Sequence, residues 1–437
     1  MLKNAATSPL EHARSVLGRN LLGQQFALTS VCSAHPLVLR AALSGAREAG
    51  QVALLEATCN QVNQDGGYTG MTPADFVGLV KNAARAEGVA DGTILLGGDH
   101  LGPQPWRHLP AASAMAKAEA MVAGYVAAGF QKIHLDCSMR CADDPATLPE
   151  ATIAERAAIL ASAAEAATTG RERPIYVIGT EVPPPGGMGE GHAIVATDPG
   201  QVAATWTAHA KAFSAKGLED AFARVCAVVV QPGLDFGNET VVHFDLAAAQ
   251  GLSGKAATLG GAVFEAHSTD YQRPSAYPAL VKGHFAILKV GPAATFALRE
   301  TIYALEQLAA ELFPRRRPGV RAALEAAMLA EPGHWKGHYS GEPDRVAWLR
   351  HFSWSDRVRY YWTAPQVQQS LHALFDMLDH SDWPLPLISQ YLPRQFDAIA
   401  DGRLPRKCEE VAIASVRAAL LPYHDASNPH VNPERHS

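Results

Sequence analysis

The sequence is poor in cysteine and lacks the features that mark several protein classes. Six cysteines in 437 residues are too few for a disulfide framework, and most lie in apolar runs, as reduced and packed thiols do. No run approaches the roughly 18 apolar residues that a membrane-spanning helix needs. The first residues, MLKNAATSPLEHARS, have no signal-peptide pattern. The sequence therefore predicts a cytoplasmic protein that does not bind to membranes.

A surplus of positive charge is also missing. The chain has 37 Lys and Arg against 43 Asp and Glu, a net charge of −6, which disfavours nucleic acid as a ligand because its phosphate backbone needs a basic surface. The GxxxxGK[ST], GxGxxG and HExxH motifs of nucleotide and zinc-protease sites do not occur. With 48% hydrophobic and 18% charged residues the composition is that of a globular protein. We expect a small molecule as the ligand.

Short apolar, β-branched runs alternate with Ala-rich segments of helical periodicity between residues 26 and 290. This alternation is typical of a parallel sheet covered by helices, and eight strand–helix units predict a closed (β/α)₈ TIM barrel. The eight runs are 26–31, 52–57, 93–98, 132–136, 175–180, 225–231, 262–267 and 285–290.

After residue 313 the pattern changes to amphipathic helices and aromatic clusters, with PRRRPG as the break. We therefore predict a barrel over residues 1–312, a C-terminal helical appendage over 313–424 and a disordered tail over 425–437. The sequence leaves open whether the appendage packs on the barrel, covers its mouth or forms a subunit interface, and a homo-oligomer is one possibility.

Nearly every predicted strand ends in a residue that could take part in chemistry. In a TIM barrel the carboxyl ends of the strands surround the active site, so these residues are expected to share one pocket. Each one alone could equally be a cap, a turn former or a surface residue, but coincidence at seven strand ends is less plausible. The strand-end residues are Glu56, Asp99 with His100, Asp136, Glu181, Gln231, His267 and Lys289.

Three local motifs, GGDHLGP, GTEVPPPGG and FEAHSTD, supply a possible metal site. His100, Glu181 and His267 form a two-His, one-carboxylate set, as a catalytic divalent ion with an open position requires. Asp99 is then the proton donor or acceptor, and Asp136 is a fourth ligand or a residue that orients a ligand. The alternative is that Asp99 caps a helix and His100 is packed in the core.

With these motifs the chain resembles the GatZ/KbaZ family, the large subunit of class II D-tagatose-1,6-bisphosphate aldolase. The resemblance extends over essentially the whole chain. The residues that carry it are VCSAHPLV, EATCNQVNQDGGYTGMTPADF, GGDHLGP, AGFQKIHLDCSM, YVIGTEVPPPGG, VVVQPG, FEAHSTDYQ, HFAILKVGPA, SDRVRYYW and ISQYLP.

The resemblance implies metal-dependent retro-aldol cleavage of a ketose (bis)phosphate to dihydroxyacetone phosphate and glyceraldehyde 3-phosphate, with zinc as the expected ion. Asp99 would move the proton of the hydroxyl at carbon 4. Catalytic class II aldolases have a Gly-Thr-Ala-His element where this chain has Gly179–Thr180–Glu181 followed by Val182. This departure from the aldolase pattern bears on catalysis more than on metal binding.

The resemblance also suggests substrate contacts and other functions. Lys289 and the backbone at Gly291 are candidates for a phosphate, and the candidates for the sugar are Glu56, Asn60, Gln61, Gln231 and Asp270. For Glu56, Asn60 and Gln61 the alternative is buried polar pairing within the barrel. The family's large subunit is usually described as supporting a smaller catalytic subunit, which leaves a non-catalytic role open. Some relatives of this family are ketose 4-epimerases. A tagatose-6-phosphate kinase role has been attached to members by pathway context, but no nucleotide-binding motif supports it.

Overall fold

The structure is a computed structural model that describes residues 7–170, 172–180, 194–316 and 319–428. Its parallel strands are β1 (Leu28–Cys32), β2 (Ala53–Thr58), β3 (Ile94–Leu101), β4 (Lys132–Leu135), β5 (Ile175–Ile178), β6 (Val225–Val230), β9 (Val263–Ala266) and β10 (Phe285–Val290), and a short antiparallel pair consists of β7 (Asp235–Phe236) and β8 (Val241–Val242). The parallel strands close into a barrel in the order β1-β10-β9-β6-β5-β4-β3-β2. The predicted TIM-barrel class is confirmed, and each of the eight barrel strands coincides with one of the eight predicted runs to within a few residues.

Helices cover the outside of the barrel and continue into the C-terminal region. Those up to the end of the barrel are α1 (Pro9–Leu21), α2 (Pro36–Glu48), α3 (Pro73–Ala86), α4 (Ala111–Ala127), α5 (Glu150–Ala167), α6 (Pro199–Ser214), α7 (Glu219–Phe222), α8 (Gln250–Ser253), α9 (Ala276–Lys282) and α10 (Pro292–Leu312). Those after it are α11 (Val320–Ala330), α12 (Pro343–Phe352), α13 (Pro365–Asp379), α14 (Leu385–Tyr391), α15 (Phe396–Ala400) and α16 (Cys408–Ser427). None of the described helices is both long and apolar enough to cross a membrane.

Local sequence explains where several helices begin. α1 and α3 each have proline at the first helical position and a capping box, in which Ser8 pairs with Glu11 and Thr72 with Asp75. Both features satisfy or remove backbone N–H groups that a helix start leaves without partners. The barrel strands between the helices are buried on both faces. Every residue of β2 and of β10 is buried. Helices cover one face of the sheet, and side chains fill the barrel on the other.

The third strand carries a bulge at its carboxyl end. The register between β3 and β4 shifts between Gly98 and Leu101, and His100 within the bulge has a φ of 49°. This left-handed backbone is unfavourable for a residue with a Cβ, and such strain concentrates at functional positions. A Cβ on Gly97 would lie 2.6 Å from Glu56 Cγ, and one on Gly102 would lie 1.7 Å from the Asp136 carbonyl oxygen. The glycines of GGDHLGP are therefore required by close packing around the bulge.

The C-terminal region packs against the barrel. α10 ends at Leu312, and α16 returns to pack against α2, α9 and α10. Near its end, the Tyr423 hydroxyl donates to the Thr269 carbonyl oxygen at 2.9 Å. α16 continues to the buried Ser427, three residues into the predicted disordered tail, and residues 429–437 lie outside the described residues.

Candidate active site

Charged side chains fill the centre of the barrel. Lys132 Nζ, from β4, lies 2.7 Å from both Glu56 Oε1 of β2 and Glu265 Oε2 of β9. Lys289 Nζ, from β10, lies 2.5 Å from Glu56 Oε2 and 2.9 Å from Asp99 Oδ1. Glu56, Lys132 and Glu265 are all 0% exposed. This central ion network is therefore closed to solvent and pairs each charge with an opposite one.

The central ion network sets the protonation state and the contacts of Lys289. Burial alone would lower the pKa of Lys289, but the carboxylates of Asp99 and Glu56 raise it well above its ordinary value. An amine held as an ammonium is a poor nucleophile, which disfavours the Schiff base that a lysine at this position could otherwise form. Its Nζ is also occupied by carboxylate oxygens, so the predicted phosphate contact through Lys289 would have to compete with two ion pairs.

Three imidazoles lie together at the carboxyl end of the strands. The ring centroids of His100, His134 and His267 are 5.1 Å, 4.9 Å and 5.4 Å apart in the pairs 100–134, 100–267 and 134–267. They come from β3, β4 and the residue after β9, and all three are buried. The barrel thus brings together histidines separated by up to 167 residues of sequence.

Each of these histidines is paired with a carboxylate. His100 Nδ1 lies 2.8 Å from Asp136 Oδ2, and His267 Nε2 lies 2.9 Å from Glu265 Oε1. His134 Nδ1 lies 2.9 Å from Asp99 Oδ1. A carboxylate on one ring nitrogen orients the imidazole and makes the other nitrogen a better ligand, an arrangement that metal-binding histidines commonly have.

Burial and neighbouring charges set the protonation of these groups. Burial lowers the pKa of His267 to about 4, so its ring is neutral at neutral pH and has a free lone pair. Burial also acts to lower the pKa of His100, but Asp99 and Asp136 raise it above its ordinary value. Burial would raise the pKa of Asp99, whereas His100 and Lys289 hold it well below the usual range. Asp99 is therefore a carboxylate at neutral pH.

The cluster has the donor set of a divalent metal site. Atoms of Asp99, His134, Glu265 and His267 that could bind an ion all lie within 4.8 Å of one another. His134 Nε2 is buried and has no hydrogen-bond partner within the described ranges, which is costly unless a ligand contacts that nitrogen. Imidazole and carboxylate together suit zinc and related ions. The residues present therefore fit a bound divalent metal.

The predicted site residues have different outcomes. The structure brings Asp99, His100, Asp136 and His267 together, with Asp136 placed to orient His100 through its ring nitrogen. The ligand role of Glu181 stays a prediction, because Glu181 lies outside the described residues.

A cavity of about 80 Å³ opens beside this cluster at the barrel mouth. Its floor includes Asp99, His100 and His267, and its roof includes Arg359 and Tyr360 from the appendage. Of the three placements that the sequence left open for the appendage, the structure shows both packing on the barrel and covering of its mouth. The residues lining the cavity are Cys32, Thr58, Asn60, Gln61, Tyr68, Asp99, His100, Phe236, His267, Ser268, Asp270, Lys289, Val290, Gly291, Pro292, Arg359 and Tyr360.

The predicted sugar contacts divide into two groups. Asn60, Gln61 and Asp270 line the cavity, and their roles stay predictions. Glu56 and Gln231 are not among its lining residues. Glu56 is held in the central ion network, and the Gln231 side-chain oxygen accepts hydrogen bonds from two backbone N–H groups of the following loop, at 2.9 and 3.1 Å.

The start of α10 is capped by a carboxylate. Asp270 Oδ1 accepts hydrogen bonds from the backbone N–H of Gly291 at 3.1 Å and of Ala293 at 2.8 Å. Burial raises the pKa of Asp270 to about 6, against the opposing effect of these two donors. The Gly291 N–H that the sequence suggested for a phosphate therefore already has an anionic partner.

Sequence reasoning missed His134, Glu265 and Arg359. A signal for the first two was present, because successive side chains in a strand alternate between its faces. His134 precedes the predicted Asp136 by two residues and Glu265 precedes the predicted His267 by two, so each points to the same side as a predicted site residue. Arg359 lies in SDRVRYYW, one of the family motifs, but the motif did not place it at the barrel mouth, since that depends on how the appendage folds back over the barrel.

Two known proteins are similar in sequence to nearly the whole of this chain. A protein from Agrobacterium fabrum named D-tagatose 6-phosphate 4-epimerase is 49% identical over 413 residues, which is 93% of this chain and 96% of that protein. The D-tagatose-1,6-bisphosphate aldolase subunit GatZ of Salmonella newport is 46% identical over 424 residues, 96% of this chain and all of that protein. These relatives support an enzymatic role in the lyase or epimerase class.

A solved structure and a family model give the same result. The crystal structure of a probable tagatose 6 phosphate kinase from Sinorhizobium meliloti 1021 superposes with a TM-score of 0.85 at 48% identity, covering 92% of this chain and all of that one. The model of D-tagatose-1,6-bisphosphate aldolase subunits of the GatZ/KbaZ-like type matches residues 14–428. The chain therefore belongs to the GatZ/KbaZ-like family of D-tagatose-1,6-bisphosphate aldolase subunits.

Proposed function

We propose that this chain by itself catalyses the metal-dependent retro-aldol cleavage of a ketose phosphate between carbons 3 and 4. The observation that carries the proposal is that Asp99, His100 and His267 line one cavity within a single chain, while the buried His134 packs against both rings and pairs with Asp99. His134 and His267 would hold the ion together with Asp99 or Glu265, and His100 and Glu181 remain candidate ligands from the sequence. Zinc is the ion we propose, and when bound it would supply Lewis-acid polarisation of the ketose carbonyl.

Asp99 is the proposed proton acceptor. Its Oδ1 is engaged by Lys289 and His134, whereas Oδ2 has the weak thiol donor Cys32 at 3.3 Å and lies 3.7 Å from His100 Nε2. Oδ2 would take the proton of the hydroxyl at carbon 4. The carbon 4 oxygen then becomes an aldehyde as the bond between carbons 3 and 4 breaks, and the electron pair stays on carbon 3. Protonation of carbon 3 completes cleavage, which for a 1,6-bisphosphate gives dihydroxyacetone phosphate and glyceraldehyde 3-phosphate.

A second candidate function is 4-epimerisation, which uses the same bond cleavage. The appendage residues Arg359 and Tyr360 cover part of the cavity at the barrel mouth, and a site covered in this way would help to retain both fragments. If the aldehyde rotates before the bond re-forms, carbon 3 adds to its opposite face and the product is the ketose epimeric at carbon 4. The Agrobacterium fabrum relative, named as an epimerase, supports this possibility.

The test is the metal content of the purified chain, paired with assays of D-tagatose and D-fructose as free sugars, 6-phosphates and 1,6-bisphosphates. We expect close to one divalent ion per chain and turnover that a chelator abolishes and added metal restores. Triose phosphate products would identify the aldolase, and interconversion of the two ketoses the epimerase.

Other outcomes distinguish the alternatives. Turnover that appears only with a smaller aldolase subunit and persists when this chain carries Asp99→Asn would leave a supporting role and refute the proposal. ATP consumption with tagatose 6-phosphate would point to the kinase instead.

A further inference from the structure

Arg359 differs from every other basic side chain that lines the active-site cavity. His100 pairs with Asp136, His267 with Glu265 and Lys289 with Glu56 and Asp99. Within the described part of the chain, Arg359 forms no ion pair with a carboxylate, although its side chain borders the cavity. Its hydrogen bonds go to the backbone carbonyls of Ser355 and Asp356 and to the Tyr360 hydroxyl.

These contacts leave part of the guanidinium free. Arginine has five N–H donors in a planar fork, and the contacts of Arg359 in the described structure use two donors on Nη1 and one on Nη2. No partner for Nε–H or for a second Nη2 N–H is found among the described residues, and Nε and Nη2 are neighbouring nitrogens of the fork. Neighbouring donors of this kind can bind two oxygens of one phosphate.

The surroundings of Arg359 suit an oxyanion. The Tyr360 hydroxyl accepts a hydrogen bond from Arg359 at 3.0 Å, so its own O–H is free to donate. The ring of Tyr68, which also lines the cavity, lies 4.6 Å from that of Tyr360. A second cavity of about 280 Å³ adjoins the first and shares Cys32, Gln61, Tyr68 and Arg359 with it. There is room at Arg359 for a group larger than a water molecule.

The residues that the sequence suggested for a phosphate are otherwise engaged. Lys289 lies in the central ion network, and the Gly291 N–H donates to Asp270. We propose that Arg359, flanked by the Tyr360 hydroxyl, binds the phosphoryl group of the ketose phosphate at the barrel mouth. The appendage is then part of the substrate site and sets the preference for phosphorylated over free ketoses. This inference rests on the proposed function for the identity of the substrate but not for the anion site itself.

The experiment compares Arg359→Met, Arg359→Lys and Tyr360→Phe with the wild type, all loaded with metal. For Arg359→Met we expect KM for the phosphorylated ketose to rise about 10- to 100-fold, as loss of a charge-assisted hydrogen-bond pair implies. Its kcat should change little, and turnover of the free ketose should stay within about twofold of the wild type. Arg359→Lys should lie between the two, and Tyr360→Phe should show the smaller rise in KM.

Inorganic phosphate provides a probe that does not depend on turnover. Calorimetric titration should show phosphate binding to the wild type and binding about 10-fold or more weaker to Arg359→Met. Arg321→Met is the matched control, because Arg321 stacks on Phe352 in the appendage and does not line this cavity. It should bind phosphate and turn over both substrates as the wild type does.

Several results would overturn the proposal. The titration would overturn it if the wild type did not bind phosphate, or if Arg359→Met bound phosphate as tightly as the wild type. The kinetics would overturn it if Arg359→Met lost activity equally on phosphorylated and free ketoses, because an equal loss indicates a structural role. Weakened phosphate binding with an unchanged KM for the phosphorylated ketose would make this a site for free phosphate only. If no ketose is turned over, the proposed function fails, whereas the titration still decides whether Arg359 forms an anion site.

Discussion

The centre of the barrel and its mouth differ in whether a cationic side chain is paired with a carboxylate. At the centre, Lys132 is 0% exposed and lies between two carboxylates at 2.7 Å. At the mouth, Arg359 borders a cavity and has no carboxylate partner within the described ranges. Both side chains are cationic, and only the charge of Lys132 is neutralised by carboxylates of the protein.

The difference separates charges that hold the fold from charges that meet a ligand. An ion removed from water needs a partner, since its desolvation is opposed only by a close opposite charge. Lys132 cannot contact a substrate and must be paired internally. Arg359 borders a cavity that a ligand can enter, so an anionic ligand could supply the partner that the protein does not. The histidines lie between these extremes, with one nitrogen paired to a carboxylate and the other available.

The largest expected effect is on catalysis by Asp99, which both pairs with Lys289 in the central ion network and lines the cavity at the mouth. Asp99→Asn keeps the shape of the side chain but removes the proposed proton acceptor, so kcat should fall about 10²- to 10⁴-fold. Steady-state kinetics with metal content measured on the same sample checks this. Glu165→Gln is the control, because it weakens an ion pair of 2.8 Å with Arg224 at the opposite end of the barrel, and it should leave kcat unchanged. Full activity in Asp99→Asn would contradict the mechanism.

The next effect is on stability at the centre. Lys132→Met leaves the carboxylates of Glu56 and Glu265 buried with Lys289 alone to balance them, at 2.5 and 3.9 Å. Breaking a buried ion pair in this way should lower the free energy of unfolding by about 3–5 kcal/mol. Urea denaturation measures it. A loss below about 1 kcal/mol would show that the central network does not hold the barrel together.

A smaller effect is expected at Asp270, and it depends on pH. Its pKa rises from an ordinary 3.8 to about 6 on folding, mainly through burial, so the folded state binds the proton more tightly. This contribution to stability is fully present below about pH 4 and is lost as pH rises through 6, for a total of about 3 kcal/mol at most.

Asp270→Asn removes this titration while keeping an oxygen for the Gly291 and Ala293 N–H groups. The free energy of unfolding of the variant minus that of the wild type should therefore be larger at pH 7.5 than at pH 5, because only the wild type loses stability as Asp270 deprotonates. Denaturation at both pH values makes the comparison. A difference between the two proteins that does not change with pH would show that the Asp270 pKa is not raised.

The smallest effect is expected at the surface. Lys117 pairs with Asp65 at 3.0 Å, and both side chains are about half exposed. Lys117→Met, the same change as at Lys132, should alter the free energy of unfolding by less than about 1 kcal/mol because solvent screens an exposed pair. Denaturation in parallel with Lys132→Met measures the contrast. Comparable losses in the two variants would refute the distinction drawn between buried and exposed pairs.

Much of the fold could be predicted from local patterns. Buried parallel strands are short apolar runs, and this is why the apolar runs of the sequence coincide with all eight barrel strands. The same periodicity placed Asp99, His100 and His267 at strand ends, where barrel geometry brings them together. His134 and Glu265 were missed because they lie inside apolar runs, one alternation before the strand-end residues that were predicted.

The sequence by itself determined the barrel, its family and the rim that carries Asp99, His100 and His267, because strand periodicity and family motifs are properties of the chain alone. Tertiary structure alone decided that Lys289 is neutralised, that the Gly291 N–H is taken by Asp270 and that Arg359 reaches the mouth. The physical reason is that a charge acquires its role from the partners around it. Those partners come from strands and helices far apart in sequence, and only folding brings them within a few ångströms.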